Sequence, residues 1–538
     1  MGSPLLRIPQ ELQVRILSNL VTHDFKDILN TLCTCKKLHE IALPLSVSTF
    51  EVHTPHEPDN DDLPMRTRLF KFLRYITITK PGLASHVKTL VLERWLLDRY
   101  QEPIGSSGPT GEDMLVYKAL IRKAVASHYD TANERNKVSR WTSDLQAGMP
   151  DAIFALLLVV CTGLKELCFP EPRVKDDRLD DGMLQVVNYS HLQYVLRLAT
   201  EKDPSVEGEP SHPVPLSLLE RVYHEGVRGY GYDNWLGHAL PFLQLPRLRT
   251  YECLYGNILE EGAMFPAFLA PSSSAVRNLV FRSSCISKNS LGIMLAAAKS
   301  LRSFEYMRGL SDNDSHYKAA MPRDIIEAIQ SHATGLEHLT LDLNDDTYRR
   351  SWLDRPDRIF MGDKLRQMAN LKSLVIGMLP LTGIIESEPN LSQLHAPTET
   401  GQVFRKVQET RRLIECLPES LERLEILCCG TGIVGEAQEL LDYISLGLQF
   451  KHLTFVRFVF NYETTDRRLV HLTCRSSSLR VETAYQTKGH RDFDLGQSWT
   501  YEMSPCSRLR PPTINYYEDW HKYRSTGEMT IEELFSNM

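Results

Sequence analysis

Apolar residues recur along this chain in two rhythms. Over the first fifty residues the spacing is helical. Ile8-Pro9-Gln10-Glu11-Leu12 opens a stripe that Ile16, Leu17 and Leu20 continue on one side of a 3.6-residue helix. Pro9 suits a first helical position, because the N–H it lacks would find no partner there. Asp24 reads as the N-cap of a second helix, with Ile28, Leu29 and Leu32 as its apolar face. A third helix is expected from about Thr34 to Leu43, with Leu38, Ile41 and Ala42 inward and Pro44 ending it. Helices this short bury little apolar area alone, so part of the stripe is expected to stay exposed and await a partner.

Beyond residue 80 the rhythm changes. Ten six-residue windows carry apolar residues at positions one, four and six, starting at Val87, Leu164, Leu219, Leu248, Val276, Leu301, Leu336, Leu371, Leu421 and Leu453. Leu336-Glu-His-Leu339-Thr-Leu341 shows the pattern cleanly, whereas the window from Leu219 is imperfect, with His224 sixth. The steps from 219 to 248, 276 and 301 are 29, 28 and 25 residues; later steps of 35, 35, 50 and 32 imply inserted loops, and early steps of 77 and 55 imply missing or cryptic units. Helix-like stretches at 290–299, 323–332 and 405–417 lie between windows. Strand then helix, repeated, builds a parallel sheet whose units hide their apolar faces only by stacking. Residues 112–161 break the period and read as two helices shielding the first repeats, and the charged, Pro-rich 171–215 reads as containing a loop. Loops are also expected at 57–64, 105–111 and 386–401. The tail, 503–538, reads as a cap on the last repeat.

The windows resemble the strand segment of a leucine-rich repeat. The first fifty residues resemble the F-box motif through Ile8-Pro9-x-Glu11-Leu12, Ile16-Leu17-x-x-Leu20, Asp24 and Leu32-Cys33-x-Cys35-Lys36-x-Leu38, although the Trp many members carry near the position of His39 is absent. Together these resemblances imply an α/β fold: an N-terminal three-helix F-box followed by an irregular leucine-rich-repeat solenoid of parallel strands and helices. The implied division is 1–50 F-box, 51–160 linker and helical N-terminal shield, 161–485 solenoid and 486–538 C-terminal cap or tail. The F-box resemblance implies docking on the Skp adaptor of a cullin–RING ubiquitin ligase. Ile8, Pro9, Leu12, Ile16, Leu17, Leu20, Leu29, Cys33 and Lys36 would lie at or beside the adaptor surface. The chain would then be the substrate-recognition subunit of a Skp–cullin–F-box ligase, cytoplasmic and/or nuclear, holding an unknown protein target while performing no bond chemistry. A protein-interaction scaffold outside any ligase is the alternative, and an enzyme on an α/β fold is the third.

In a repeat strand, positions three, five and seven face the concave side while four and six point inward. That alternation nominates Tyr223, Glu252, Arg282, Glu305, Met307, His338, Asp342, Arg423 and Arg457 as target-binding residues. Mixed charge with apolar residues fits a protein partner better than nucleic acid.

Composition narrows the remaining classes. Among 538 residues, 61 Lys and Arg face 68 Asp and Glu, a net charge of -7, which argues against a duplex-wrapping protein. With 42% hydrophobic and 24% charged residues, wholesale disorder, collagen and coiled coil are poor fits. The start lacks the basic-then-apolar layout of a signal peptide. The longest apolar run, 152–161, is about half of the ~20 residues a membrane span needs and reads as a buried helix, so no membrane partner is expected. Eleven Cys without paired Cys-x-x-Cys spacing read as reduced thiols. Phosphate-loop, zinc-helix and nucleophile-elbow motifs are absent from the sequence. The aromatic run at 229–235 reads as a packed turn, and adjacent Cys428 and Cys429 would point to opposite faces of a strand, arguing against a metal pair. No cofactor, metal or active site is therefore expected.

Overall fold

A computed structural model describes residues 7–23, 25–52, 65–92, 96–97, 108–125, 131–170, 173–175, 184–186, 190–200, 214–225, 240–254, 256–258, 269–308, 319–343, 358–383, 411–461, 472–474, 476 and 478–486. They divide into two units, one comprising the described residues up to Ser46 and the other lying within Val47–Phe493. Asp24, the expected loops at 57–64 and 386–401, the turn at 229–235 and the tail at 503–538 lie outside the described residues.

The first unit is three helices: α1 (Gln10–His23), α2 (Phe25–Leu32) and α3 (Lys36–Ser46). The Pro9 carbonyl accepts from the Leu12 and Gln13 amides, so Pro9 stands just ahead of the first turn. Buried Gln13 donates from Nε2 to the Ile8 carbonyl at 2.8 Å and ties down the entering chain. Leu17, Ile28, Leu38, Ile41 and Ala42 form a small core, with Val14, Leu20 and Leu32 packed against it. Leu38, Ile41 and Ala42 thus point inward as the spacing requires. Pro44 does not end α3; it sits in the final turn, and the helix runs on to Ser46.

The second unit is built on twelve parallel strands whose order in space is their order in sequence. They are β1 (Thr49–Val52), β2 (Thr89–Leu92), β3 (Glu166–Pro170), β4 (Arg221–Glu225), β5 (Thr250–Leu254) and β6 (Asn278–Ile286). Then come β7 (Ser303–Arg308), β8 (His338–Asp342), β9 (Ser373–Gly377), β10 (Arg423–Cys429), β11 (Phe455–Asn461) and β12 (Arg480–Gln486). Every one of the ten windows holds a strand. The registers align position four of each window into one row, running from Phe50 through Leu90, Leu167, Leu339 and Leu424 to Val481. Position six makes a second row, in which His224 is buried and stacks on Phe169 with ring centroids 4.9 Å apart. Two bulges interrupt the ladder, after Phe281 and after Ile426. Ser283 and Cys428 absorb the extra residue there with positive φ of 47° and 50°.

Two of these twelve strands lie beyond the windows. β1 has the signature Val47-Ser-Thr-Phe50-Glu-Val52, and β12, around Arg480-Val481-Glu482-Thr483, has a polar sixth position. The sheet therefore starts at Thr49, at the end of the span read as 1–50, and its second strand lies within 51–160, so the array begins well ahead of 161. The long early steps hide no further strand of the main sheet either, because β2 pairs directly with β3 and β3 with β4. Helices fill them. Between β2 and β3 stand α5 (Gly111–Val125), α6 (Thr131–Gln146) and α7 (Pro150–Val160), following α4 (Met65–Arg74) between β1 and β2. Three helices stand where the apolar pattern indicates two. α6 is largely polar and buries Val138, Trp141 and Leu145, at i, i+3 and i+7. Between β3 and β4 lies α8 (Ser190–Thr200), in a segment whose charge and Pro content read as loop. Gly163 lets the turn before β3 pass the Ser85 carbonyl, where an added Cβ would collide with backbone.

α7 is buried from Pro150 to Leu158, and no single helix among the described residues is long and apolar enough to cross a membrane. A polar knot fixes it to its neighbours. The Asp151 carboxylate, 3% exposed, accepts from the His191 and Leu192 amides at 2.9 and 3.0 Å and so caps α8 from another helix. Trp141 donates to the Ala152 carbonyl at 2.9 Å, and its ring stacks on His191, whose Nε2 lies 2.8 Å from Asp144.

Later repeats are regular: α9 (Lys288–Ala297) follows β6, and α10 (Pro322–His332) follows β7. Short α11 (Gly362–Leu365) leads to β9, α12 (Met378–Thr382) and α13 (Leu413–Cys416) lie between β9 and β10, and α14 (Val434–Ser445) follows β10. Of the helix expected at 405–417 the described part is only α13. Asp324, in the first turn of α10, is 5% exposed and takes hydrogen bonds from Lys288 Nζ and the Met321 amide, and an ion pair from Arg358. Burial alone would raise its carboxyl, but these donors overcome burial and hold it below the ordinary aspartate value.

Two outcomes follow from these knots. Asp151→Ala removes the acceptor of two buried amides and should lower the stability of the full chain by about 1–3 kcal/mol in urea titration. A carboxyl depressed by folding contributes stability above its unfolded pKa of about 3.9 and loses it as pH falls further. The urea midpoint should therefore drop below about pH 4, and Asp324→Asn should flatten that drop while lowering the midpoint at neutral pH.

Candidate protein-binding face

Positions three, five and seven of the strands make up the sheet face opposite the helices. Its two halves differ. Over β4–β6 the middle of the face is withdrawn from solvent, with Tyr223, Glu252, Leu254, Val280 and Arg282 all 8% exposed or less, while Arg221 at its edge stays exposed. Tyr223, Glu252 and Arg282, expected at a target-binding surface, are buried instead. For the two charged residues cross-strand pairing offsets the cost of burial: Arg282 donates from Nε to Glu305 at 2.6 Å and pairs through its other arm with Glu252. One guanidinium thus satisfies carboxylates on the strands at both sides. Burial, and after it the charge of Glu252, pushes the Tyr223 phenol above its ordinary value.

From β7 onward the face opens. Glu305, Met307 and Asp342 are half-buried, His338 and Arg423 are exposed, and Arg457 is 37% exposed. Glu425 lies between Arg423 and Arg457 and contacts each at 3.4 Å. Three residues of this cluster escaped sequence reading. Arg480 and Glu482 stand on β12, which no window covers, and Phe455 stands at position three of the last window but is not among the residues nominated there.

Other candidate chemistry falls differently. Cys429 is buried and Cys428, at the bulge, is half-exposed, so the two thiols do separate. No group of three His, Cys, Asp or Glu among the described residues is placed to hold a metal ion. A groove of 810 Å³ runs past the leading ends of β8–β11 and is lined by Glu337, Lys372, Glu422, Leu448 and His452 among others. Lys372 there pairs with Glu337 at 3.5 Å.

A family model described as a leucine-rich repeat domain matches residues 68–446, well over half of the chain. The chain belongs to this leucine-rich repeat family. Comparison with curated proteins gives no match. The family points to protein–protein interaction, and the leucine-rich repeat strands meet that role with a sheet face of mixed charge. Within that face the half from β7 to β12 is the more open to solvent.

The residues of the N-terminal stripe also separate by exposure. Leu12 and Ile16 are 46% and 43% exposed, and Pro9, Cys33 and Lys36 are exposed as well. Ile8 and Leu20 are half-buried, while the Leu29 side chain lies outside the described residues. Leu17 is 1% exposed and belongs to the core rather than to a docking surface. At about 100° per residue, Leu17 turns away from Ile16 toward α2 and α3, whereas Leu12 and Ile16 share a flank.

The closed half supplies a test. Arg282→Met strands a buried Glu252 carboxylate and should cost about 3–5 kcal/mol in denaturant titration. Adding Glu252→Leu to it should recover part of that loss, because the most deeply buried carboxylate is then gone and the half-buried Glu305 left without its arginine still reaches solvent. A double variant less stable than Arg282→Met would contradict the cross-strand account.

Proposed function

We propose that this leucine-rich repeat protein is the substrate-recognition subunit of a Skp–cullin–F-box ubiquitin ligase. The N-terminal helices dock on the Skp adaptor, and the open half of the repeat sheet holds a protein target. The observation that carries the reading is the exposed apolar pair Leu12 and Ile16, one turn apart on α1, in a unit whose own core is five side chains. An exposed apolar pair of this kind is a surface that a partner buries. In this reading the chain performs no bond chemistry. It raises the concentration of a target near the ligase, an effect that needs only two surfaces and a linkage between them. Its setting is the cytoplasm and/or the nucleus, where the adaptor and cullin work.

Affinity capture of the full chain tests the reading. The unmodified protein should bring down a Skp adaptor together with a cullin. Leu12→Asp with Ile16→Asp should abolish that capture and shift stability by about 1 kcal/mol, roughly half of it from each site, since both side chains lie at the surface. Leu17→Ala, a core truncation costing about 2–5 kcal/mol, marks what unfolding of the unit looks like. Adaptor binding that survives the double Asp variant would end the docking assignment. Adaptor capture without a cullin would instead favour a scaffold outside any ligase.

A further inference from the structure

The last three strands carry a cluster unlike the rest of the open face. β10, β11 and β12 set Arg423, Phe455 and Arg480 side by side in the position-three row, and Glu425, Arg457 and Glu482 in the position-five row. The Phe455 ring is flanked by both outer guanidiniums, with Arg423 4.0 Å and Arg480 5.8 Å from its centroid. Glu425 contacts Arg423 and Arg457 at 3.4 Å each, and Glu482 pairs with Arg480 and lies 3.9 Å from Arg457.

Three arginines share two carboxylates, and the arginines stand outermost. Arg480 is 74% and Arg423 47% exposed, against 15% for Glu425 and 32% for Glu482. The surface presented to solvent is therefore cationic. Its guanidinium forks are held by the aromatic ring and by the carboxylates beneath, which lowers the entropy cost of using them again. Strands lie ~4.8 Å apart, so the outer two arginine positions are about 10 Å apart, and alternate residues of an extended peptide are about 7 Å apart. A strand of peptide crossing the sheet with acids at alternate positions can engage two forks at once, each a charge-assisted pair.

We propose that this cluster docks an acidic segment, rich in Asp or Glu, of a protein partner. The proposal rests on the reading that the sheet holds a protein, and it supplies the chemistry of that protein's contact. It does not depend on adaptor docking by α1.

The test titrates the full chain into a fluorescein-labelled Glu-Thr-Glu-Thr-Glu peptide and reads anisotropy at about 50 mM and about 300 mM salt. Binding should appear at low salt, weaken at high salt, and be lost when Gln replaces Glu in the peptide. Arg423→Glu with Arg480→Glu should weaken it at least about tenfold. Arg423→Gln with Arg480→Gln, which keeps the stems near Phe455, should shift it in the same direction. Arg122→Glu with Lys123→Glu on α5 imposes the same change of net charge elsewhere and should leave binding unchanged. Equal loss in that α5 pair, equal binding of the Gln peptide, or binding of a phosphoserine peptide without the Glu peptide would overturn the proposal. Adaptor capture by the arginine variants should persist, and the Leu12→Asp, Ile16→Asp variant should still bind the peptide. Failure at either surface is thus distinguishable from failure at the other.

Discussion

The register of the parallel ladder is the constraint on which the second unit depends. Twelve strands pair so that position four meets position four and position six meets position six across the whole sheet. A slip of one residue in any strand would turn its apolar pair to the opposite face and put charge into the core. The rows that result pack on the helices, and no single strand and helix could bury them alone. Even His224, a polar residue in the sixth row, is accommodated by stacking on Phe169 and by the Cys253 thiol 3.7 Å from Nδ1. The same register that buries positions four and six delivers positions three, five and seven to the opposite face. Core and interaction surface are therefore two consequences of one pairing.

That shared origin does not make the opposite face uniform. Where carboxylates and an arginine fall on neighbouring strands within reach, as at Glu252, Arg282 and Glu305, the charges satisfy one another and are largely withdrawn from solvent. Removing a charge pair from water is costly unless each group is well matched, and Arg282 meets this by contacting both sides. At the far end the stoichiometry differs. Arginines outnumber carboxylates and remain outermost, so charge is left to interact with something else. Residue types at equivalent positions thus divide into structural and available groups according to which neighbours the ladder places beside them.

The small N-terminal unit shows the opposite balance. Its core is only Leu17, Ile28, Leu38, Ile41 and Ala42, and two apolar residues of α1, Leu12 and Ile16, stay exposed. A partner that buried this flank would add to the stability of the unit as well as use it, because apolar area removed from water contributes about 25 cal/mol per Å².

Much of this was legible in the sequence. The windows located ten strands, and the inward set of α3 followed from spacing alone, because burial on one face imposes a period that no other constraint mimics. β1 was legible as well, since Val47, Phe50 and Val52 have the same spacing. α6 was not, because Val138, Trp141 and Leu145 are a thin signal in a polar helix. Nor could spacing tell Leu17 from Ile16, as both are apolar and adjacent and only the packing of α2 and α3 chooses between them. The same holds for Tyr223, Glu252 and Arg282, which occupy outward positions and are nonetheless buried. Sequence determined the periodicity, and with it the strands and the side each residue takes. Tertiary structure decided which outward residues meet water, because exposure depends on neighbours brought together from strands 20 to 50 residues apart.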